Sequence, residues 1–493
     1  MRSKKKKKVR LNLKRFIPFL LIVAIVIVGL NTVLAKEVLP GPDVIYAPQE
    51  ETVDLSIRCV GDIMCHSPQL AAAANRDGSY YKTEAVGSST RITTDSTFDF
   101  LCNYEYVKQY LEEADLTLAN FEVTFGGDDT FAGYPGFDSP DILASQVASC
   151  GVDVALFANN HMLDSKLAGA KRTVQVLRDA GMTAVGARAD TSENRSAVVD
   201  VKGVKVGVVA YTYETPTVNG QRSMNGSTAS GMNSGAPDYI NTFRYDGSGI
   251  KQADLDSIKA ELSWCRENGA DIVICYLHWG NEYQLKPSKN DKALAQFVAE
   301  NGADIIFASH PHVLQGISYI EVEEEYPEEW SSEVYPRYGE MPQRTGLQEF
   351  KLKIGRASEE ELAPLETVTR PTTWTKTVPV YYSMGNFVSN QRSETLSGTY
   401  GADSARRTEQ GMIACVELTY NKANGNIKIN EQDCIPTWVD KYTDGKGRIQ
   451  YRIIPLIGDI DSNPSLKTSG HLSRAKSALT EITKFLGEEY IKK

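Results

Sequence analysis

Five of the six histidines in this chain fall within four short motifs at the ends of apolar runs. The motifs are Gly61-Asp62-Ile63-Met64-Cys65-His66, Asn159-Asn160-His161-Met162-Leu163-Asp164, His278-Trp279-Gly280-Asn281-Glu282-Tyr283 and His310-Pro311-His312; only His471 lies elsewhere. Neutral imidazole is the commonest side-chain ligand of transition metals. Histidines mixed with carboxylates and amides at strand-to-loop junctions are how α/β scaffolds assemble a metal site. The chemistry indicated is therefore metal-assisted. Asn120-Phe121-Glu122 brings a further carboxylate to the end of another apolar run, and a carboxylate can bridge two ions.

Each motif taken alone has a plainer reading. Asp62 could cap a helix, Glu122 could be a solvated strand end, and His66 could simply pack beyond its strand. Asn159-Asn160-His161 is more specific, because it sets two amides and an imidazole in one tight connection. Pro311 stiffens the turn between His310 and His312, so that two imidazoles can point the same way. The coincidence of five such sites carries the argument.

The elements that must position these residues alternate along the chain. The pattern predicts strand 55–63, helix 102–113, strand 115–121, helix 140–150, strand 153–158 and helix 166–180. A hairpin through Lys202-Gly203 follows within 197–213, and 217–249, rich in Gly, Ser and Asn, reads as a long loop over the site. Helix 251–268, strand 271–277, helix 290–300, strand 303–308 and strand 378–383 complete the α/β part. The segment about 321–376, dense in Glu and Pro, reads as an insertion. Residues 421–493 read as a β-rich extension ending in a helix from 472 to 487. This rhythm indicates β-α-β units and a largely parallel sheet.

The N-terminus differs from the rest. Residues 1–15 hold nine Lys and Arg and no acid, and twenty uncharged residues follow, Phe16 to Ala35. Twenty residues in helix just span a bilayer core of about 30 Å. A cleavable signal peptide is the rival reading, but its apolar part is usually shorter. The expectation is a single-pass signal anchor at 16–35 with residues 1–15 in the cytoplasm, a linker at 36–54 and everything beyond it outside the cell membrane.

Of 53 Lys and Arg, 44 remain after residue 15 against 63 Asp and Glu, a net charge of −19. Such a surface disfavours nucleic-acid binding and requires a local positive centre, such as divalent metal, for any anionic substrate. Eight cysteines show no Cys-x-x-Cys spacing, which gives a zinc ribbon little support; they are expected to be mostly buried and reduced.

The ordered set Gly-Asp-Ile-Met, Asn-Phe-Glu, Asn-Asn-His-x-x-Asp, His-Trp-Gly-x-Glu-Tyr, His-Pro-His-Val-Leu-Gln and Ser-Met-Gly-Asn-Phe resembles the CapA family of bacterial capsule and poly-γ-glutamate biosynthesis proteins. The resemblance covers about 55–420, and that family is similar in fold to the calcineurin-like metallophosphoesterases. It implies an α/β protein with a four-layer α/β/β/α sandwich and two divalent ions, manganese, zinc or iron. Asp62 and His312 would hold one ion, with His66 completing its ligands. Asn160, His278 and His310 would hold the other, and Glu122 would bridge. His161 would act as general acid or transition-state donor, oriented by Asp164, and Asn120, Asn159, Trp279, Glu282 and Asn386 would line the substrate pocket. The chain departs from the phosphoesterase Asp-x-His pattern, since Asp62-Ile63-Met64 displaces the histidine to position 66.

Three functions follow from this resemblance. The first is a membrane-anchored extracellular component of capsule or poly-γ-glutamate production or export, working with synthase subunits on an anionic polymer. The second is an independent exported phosphoesterase acting on envelope phosphates or nucleotides. The third is a non-catalytic polymer-binding scaffold.

Overall fold

Strand β1, Thr52–Ile63, alternates exposed and covered residues at its start and is wholly buried over its second half, so its carboxyl end lies deep in the protein. It belongs to a computed structural model that describes residues 51–74, 81–86, 89–94, 98–127, 130–247, 249–325, 373–422 and 425–492. The anchor expected at 16–35 lies outside these residues. Among the described residues no helix is long and apolar enough to cross a membrane.

The chain continues through β2 (Leu116–Phe121), β3 (Val154–Leu156) and β4 (Thr183–Val185), then β5 (Ala197–Val201), β6 (Val204–Tyr213), β7 (Thr242–Phe243), β8 (Ile272–His278), β9 (Ile305–Ser309), β10 (Ile317–Glu325) and β11 (Thr373–Tyr381). It closes with β12 (Asn386–Val388), β13 (Gln410–Asn421), β14 (Asn426–Thr443) and β15 (Ile449–Pro455). One sheet runs β15-β14-β13-β1-β2-β3-β4, with β12 paired to β1; the other runs β7-β6-β8-β9-β11-β10, with β5 paired to β6. The strands after residue 421 thus extend the first sheet directly.

Period-two alternation explains how the sheets pack. Cys59 and Leu118 face Val208, Tyr276 and Phe307 in a core between the sheets. Their neighbours Val60 and Ala119 point the other way, into a core with helices α1 (Ile142–Ala148) and α2 (Lys166–Asp179). Val209, Cys275 and Ile306 likewise point away from the shared core, toward α3 (Gln252–Glu267) and α4 (Lys289–Glu300). The order is helix, sheet, sheet, helix. Burial on both faces is why these strands read as unbroken apolar runs.

Short helices α5 (Ser393–Tyr400) and α6 (Ala402–Arg407) follow β12. The terminal helix α7, Leu472–Leu486, turns Ala475, Ala478, Ile482 and Leu486 toward the inter-sheet core. The expected insertion at 321–376 is ordered strand at both ends, for Ile317–Glu325 and Thr373–Tyr381 pair in antiparallel register; residues 326–372 lie outside the described residues. All eight cysteines are free, and seven are buried.

Candidate metal centre

Parallel pairing delivers the carboxyl ends of β1, β2 and β3 to one edge of the first sheet, and those of β8 and β9 to one edge of the second. Asp62 sits opposite Asn120 on one side and Asn386 on the other. The register shifts between Val60 and Asp62, and Gly61 makes the shift feasible: a Cβ there would lie 1.9 Å from the Gly385 carbonyl oxygen. The chain can approach that closely only at a glycine, and the irregularity re-aims Asp62. Gly385 itself sits at φ +66°.

The strand ends gather Asp62, Glu122, Asn160, His278, His310 and His312, all buried. Two sets of ligand atoms converge within 4.8 Å, Glu122 with His310 and His312, and Glu122 with Asp62 and His278. Glu122 is common to both, as a bridging carboxylate must be. Direct contacts join the residues differently: His312 Nδ1 lies 3.0 Å from Asp62 Oδ2, and His278 Nε2 lies 2.8 Å from Asn160 Oδ1.

The donor set fits a cation. Both oxygens of Glu122 and Nδ1 of His310 are buried without a hydrogen-bond partner, and the nearest imidazole nitrogens stand 3.8 Å from Glu122 Oε1, too far to bond. Burial, reinforced by the charge of Asp62, pushes the Glu122 carboxyl well above the carboxylate range. Burial pushes His278 and His310 well below the ordinary imidazole value, helped by neighbouring histidines. Both rings are therefore neutral at pH 7, the form that ligates metal.

Asp62 and His312 form a hydrogen-bonded carboxylate–imidazole pair. Burial alone would raise Asp62, but the hydrogen bond and charge of His312 outweigh it and bring Asp62 below its usual value. Burial would lower His312, yet Asp62 raises it. Nδ1 of His312 faces two acceptors, Asp62 Oδ2 and Asn386 Oδ1, each at 3.0 Å, so it carries the proton and Nε2 is left for the cage. Asn386 is fixed in turn by donating to the carbonyls of His312 and Thr408 and to Gln391. Carboxylate and amide partners behind a ligating histidine set its ring and tautomer.

His161 follows Asn160 directly. Its Nδ1 donates to Asp164 Oδ2 at 2.7 Å, and the Phe137 backbone N–H holds the same oxygen at 2.7 Å. That leaves Nε2 for proton transfer.

The remaining expectations resolve individually. Asn120 donates to Asp62 Oδ1 at 2.7 Å, and Asn159 donates to Asn120 and to the Phe121 carbonyl. Both are fully buried, so they brace the cage rather than line a pocket. Trp279 turns inward, packing with the helices of the second sheet while its Nε1 donates to the Tyr382 carbonyl; it does not face substrate. Glu282 is exposed. His66 stands apart from both ligand sets: Nδ1 contacts Gln69 and accepts from the Asn390 N–H, its ring edge meets Phe137, and burial pushes it down to about 3.

One residue was not anticipated. The segment after β6 forms a hairpin, Thr215–Val218 with Gln221–Ser223, and then a tight turn at Asn225-Gly226, both residues at positive φ. The turn sets the Asn225 amide nitrogen 3.0 Å from His161 Nδ1 and 3.4 Å from its Nε2, and its Oδ1 accepts from Asn160 at 3.3 Å. The signal was the Asn-Gly dipeptide, the commonest type I′ turn sequence.

The family described as bacterial capsule synthesis protein PGA_cap matches residues 56–336, more than half of the chain. The chain belongs to the bacterial capsule synthesis family. Proteins similar to it include the capsule biosynthesis protein CapA of Bacillus anthracis, 30% identical over 43% of this chain and 48% of its own length. Another is the PGA biosynthesis protein CapA of Bacillus subtilis, 28% identical over 43% of this chain and 52% of its own. A probable polyglutamine synthesis accessory protein of Mycobacterium tuberculosis is 28% identical over 55% of this chain and 70% of its own. The chain spans about half the length of the two Bacillus relatives. A solved structure titled a novel phosphatase, from Mycoplasma pneumoniae, aligns over 78% of this chain and 94% of its own at 11% identity, with a TM-score of 0.36.

Proposed function

We propose that this chain is a membrane-anchored, extracellular component of capsule-polymer production of the poly-γ-glutamate type, and that its cage holds two divalent ions, manganese, zinc or iron. The observation that supports the cage most is Glu122, a buried carboxylate with neither oxygen partnered, ringed by Asp62, His278, His310 and His312. When bound, the ions would supply Lewis acidity toward a phosphoryl or carbonyl oxygen and activate water. We read the four layers as a sandwich of the metallophosphoesterase type.

The chain's own residues supply the rest. Asp62 and Asn386 fix the His312 ring, and His278 fixes the Asn160 amide. Asp164 holds His161 so that Nε2 can pass a proton to a leaving group. The basic and apolar segments at 1–35 support the anchor, and the names of the Bacillus relatives support the polymer role. Membrane-bound synthase subunits are the partners this placement suits.

The test is complementation. A strain lacking this chain is supplied with wild type or Glu122→Gln, and surface polymer and membrane-fraction protein are measured. The proposal expects wild type to restore polymer and the variant, present in the membrane fraction, not to. Full restoration by the variant would leave a scaffold role. Normal polymer without the chain, together with metal-dependent turnover of a simple phosphodiester by the purified protein, would assign the independent phosphoesterase instead.

A further inference from the structure

Beside the cage lies a second concavity of about 1230 Å³, walled by α6 and α7 and by the turns that carry Leu285 and Leu314. Its near wall adjoins the metal centre. Leu285 and Leu314 follow by two residues Tyr283 and His312, whose ring centres are 6.2 Å apart. Tyr400, at the end of α5, contacts Tyr283 at 4.2 Å.

The far wall is cationic. Arg406 and Arg407 come from α6, and Arg474, Lys476 and Lys484 from α7, against Glu409 and Glu481. Two of these cations are also paired with acids just outside the lining, Arg406 with Asp403 and Lys476 with Asp461. The two lining acids are already engaged: Glu481 accepts from Arg406, Arg407 and Gln410, and Glu409 from Arg474. They hold the guanidinium groups in place without using all the donors. Arg407 bonds Glu481 through Nε alone, and Arg474 bonds Glu409 through Nη2 alone. Lys484 makes no ion pair among the described residues. The lining is apolar where Trp438 lies 5.3 Å from the Arg474 guanidinium, and at Leu285, Leu314 and Phe485, the last 38% exposed.

We propose that this groove binds a flexible polycarboxylate chain and leads it toward the metal centre. Arginine forks take planar carboxylates in pairs of hydrogen bonds, and the apolar floor takes the intervening methylenes. Donors left free on Arg407, Arg474 and Lys484, spread over two helices, match single charges spaced along a chain better than dense phosphates. Only the direction of travel rests on the metal reading; binding in the groove stands without it.

The test is fluorescence anisotropy of a labelled γ-linked glutamate oligomer with the full-length chain at low and at physiological salt. Wild type is expected to bind with an affinity that falls as salt rises. Lys484→Glu, an exposed unpaired position, should weaken binding about threefold or more, and Arg407→Gln with Lys484→Glu about tenfold or more, with melting temperature and metal content unchanged. Glu122→Gln should bind as wild type does. Four results would overturn the groove: no binding at low salt, equal binding by the double variant, displacement by polyphosphate at lower concentration than by unlabelled oligoglutamate, or loss of binding in Glu122→Gln with retention in Lys484→Glu. The last would place the polymer at the cage.

Discussion

Glu122→Gln acts in opposite directions on the metal-free and metal-loaded protein, and the structure sets both signs. Without metal, neither carboxylate oxygen has a partner, and Asp62 adds a like charge. A buried polar group left unpaired costs about 1–3 kcal/mol, more when charged. The amide keeps the shape and is neutral without having to take up a proton, so the chelated variant should match wild type or exceed it by up to about 3 kcal/mol. With metal the order reverses. Loss of an outer partner of a ligand already costs roughly 10–100-fold in metal affinity, so loss of a shared ligand should cost at least about 100-fold. At metal a thousandfold above the wild-type Kd, binding adds about 4.1 kcal/mol to wild type but only about 1.4 kcal/mol to a variant a hundredfold weaker. The assay is thermal melting of the full-length chain in chelator, then in manganese or zinc. A variant that melts well below wild type in chelator, and gains as much from metal, would refute the reasoning.

Other outcomes follow from particular contacts. Gly61→Ala should cost more than about 3 kcal/mol and abolish metal binding, because the new Cβ meets the Gly385 carbonyl at 1.9 Å; Gly136→Ala, with open space around it, should change melting by less than about 0.5 kcal/mol. Asp164→Asn should leave metal content intact and slow turnover of esters with poor leaving groups about 100-fold, while activated nitrophenyl esters, which need no proton, are spared. Asp304 is buried with Arg266 and Lys376 and accepts from the Val273 N–H at 2.7 Å; burial opposes its charge, but these partners hold it below the usual carboxylate value. Its contribution is complete above the unfolded value near 3.9 and is lost as pH falls through the lower folded value. Asp304→Asn should therefore cost about 3–5 kcal/mol at pH 7, a deficit that shrinks in urea titrations below about pH 4.

Much of the cage was legible because parallel strands announce themselves. An apolar run ending in Asp62, Asn120-Phe121-Glu122, Asn159-Asn160-His161, His278 or His310 points its last side chains to one sheet edge, and registry in three dimensions brings those edges together. Periodicity does not tell which polar residue faces the cage and which stands behind it. Asn120 and Asn159 became braces for Asp62 and Phe121, and Trp279 turned into the helix layer, because the pleat alternates faces at each residue. Asn225 was hidden for a different reason: it is exposed, lies 64 residues from His161, and reaches the site only through two successive Asn-Gly turns. The paired ends of the 321–376 segment were masked by Glu321, Glu323 and Glu325, which gave a half-exposed edge strand the look of a loop.

The central claim is that the buried carboxylates and imidazoles at the strand ends hold metal. Elemental analysis of the purified full-length chain, beside a His278→Ala, His312→Ala double variant, tests it most directly. About two equivalents of manganese, zinc or iron are expected in wild type and none in the variant. Wild-type protein that stays metal-free after reconstitution with each of these ions would contradict the claim.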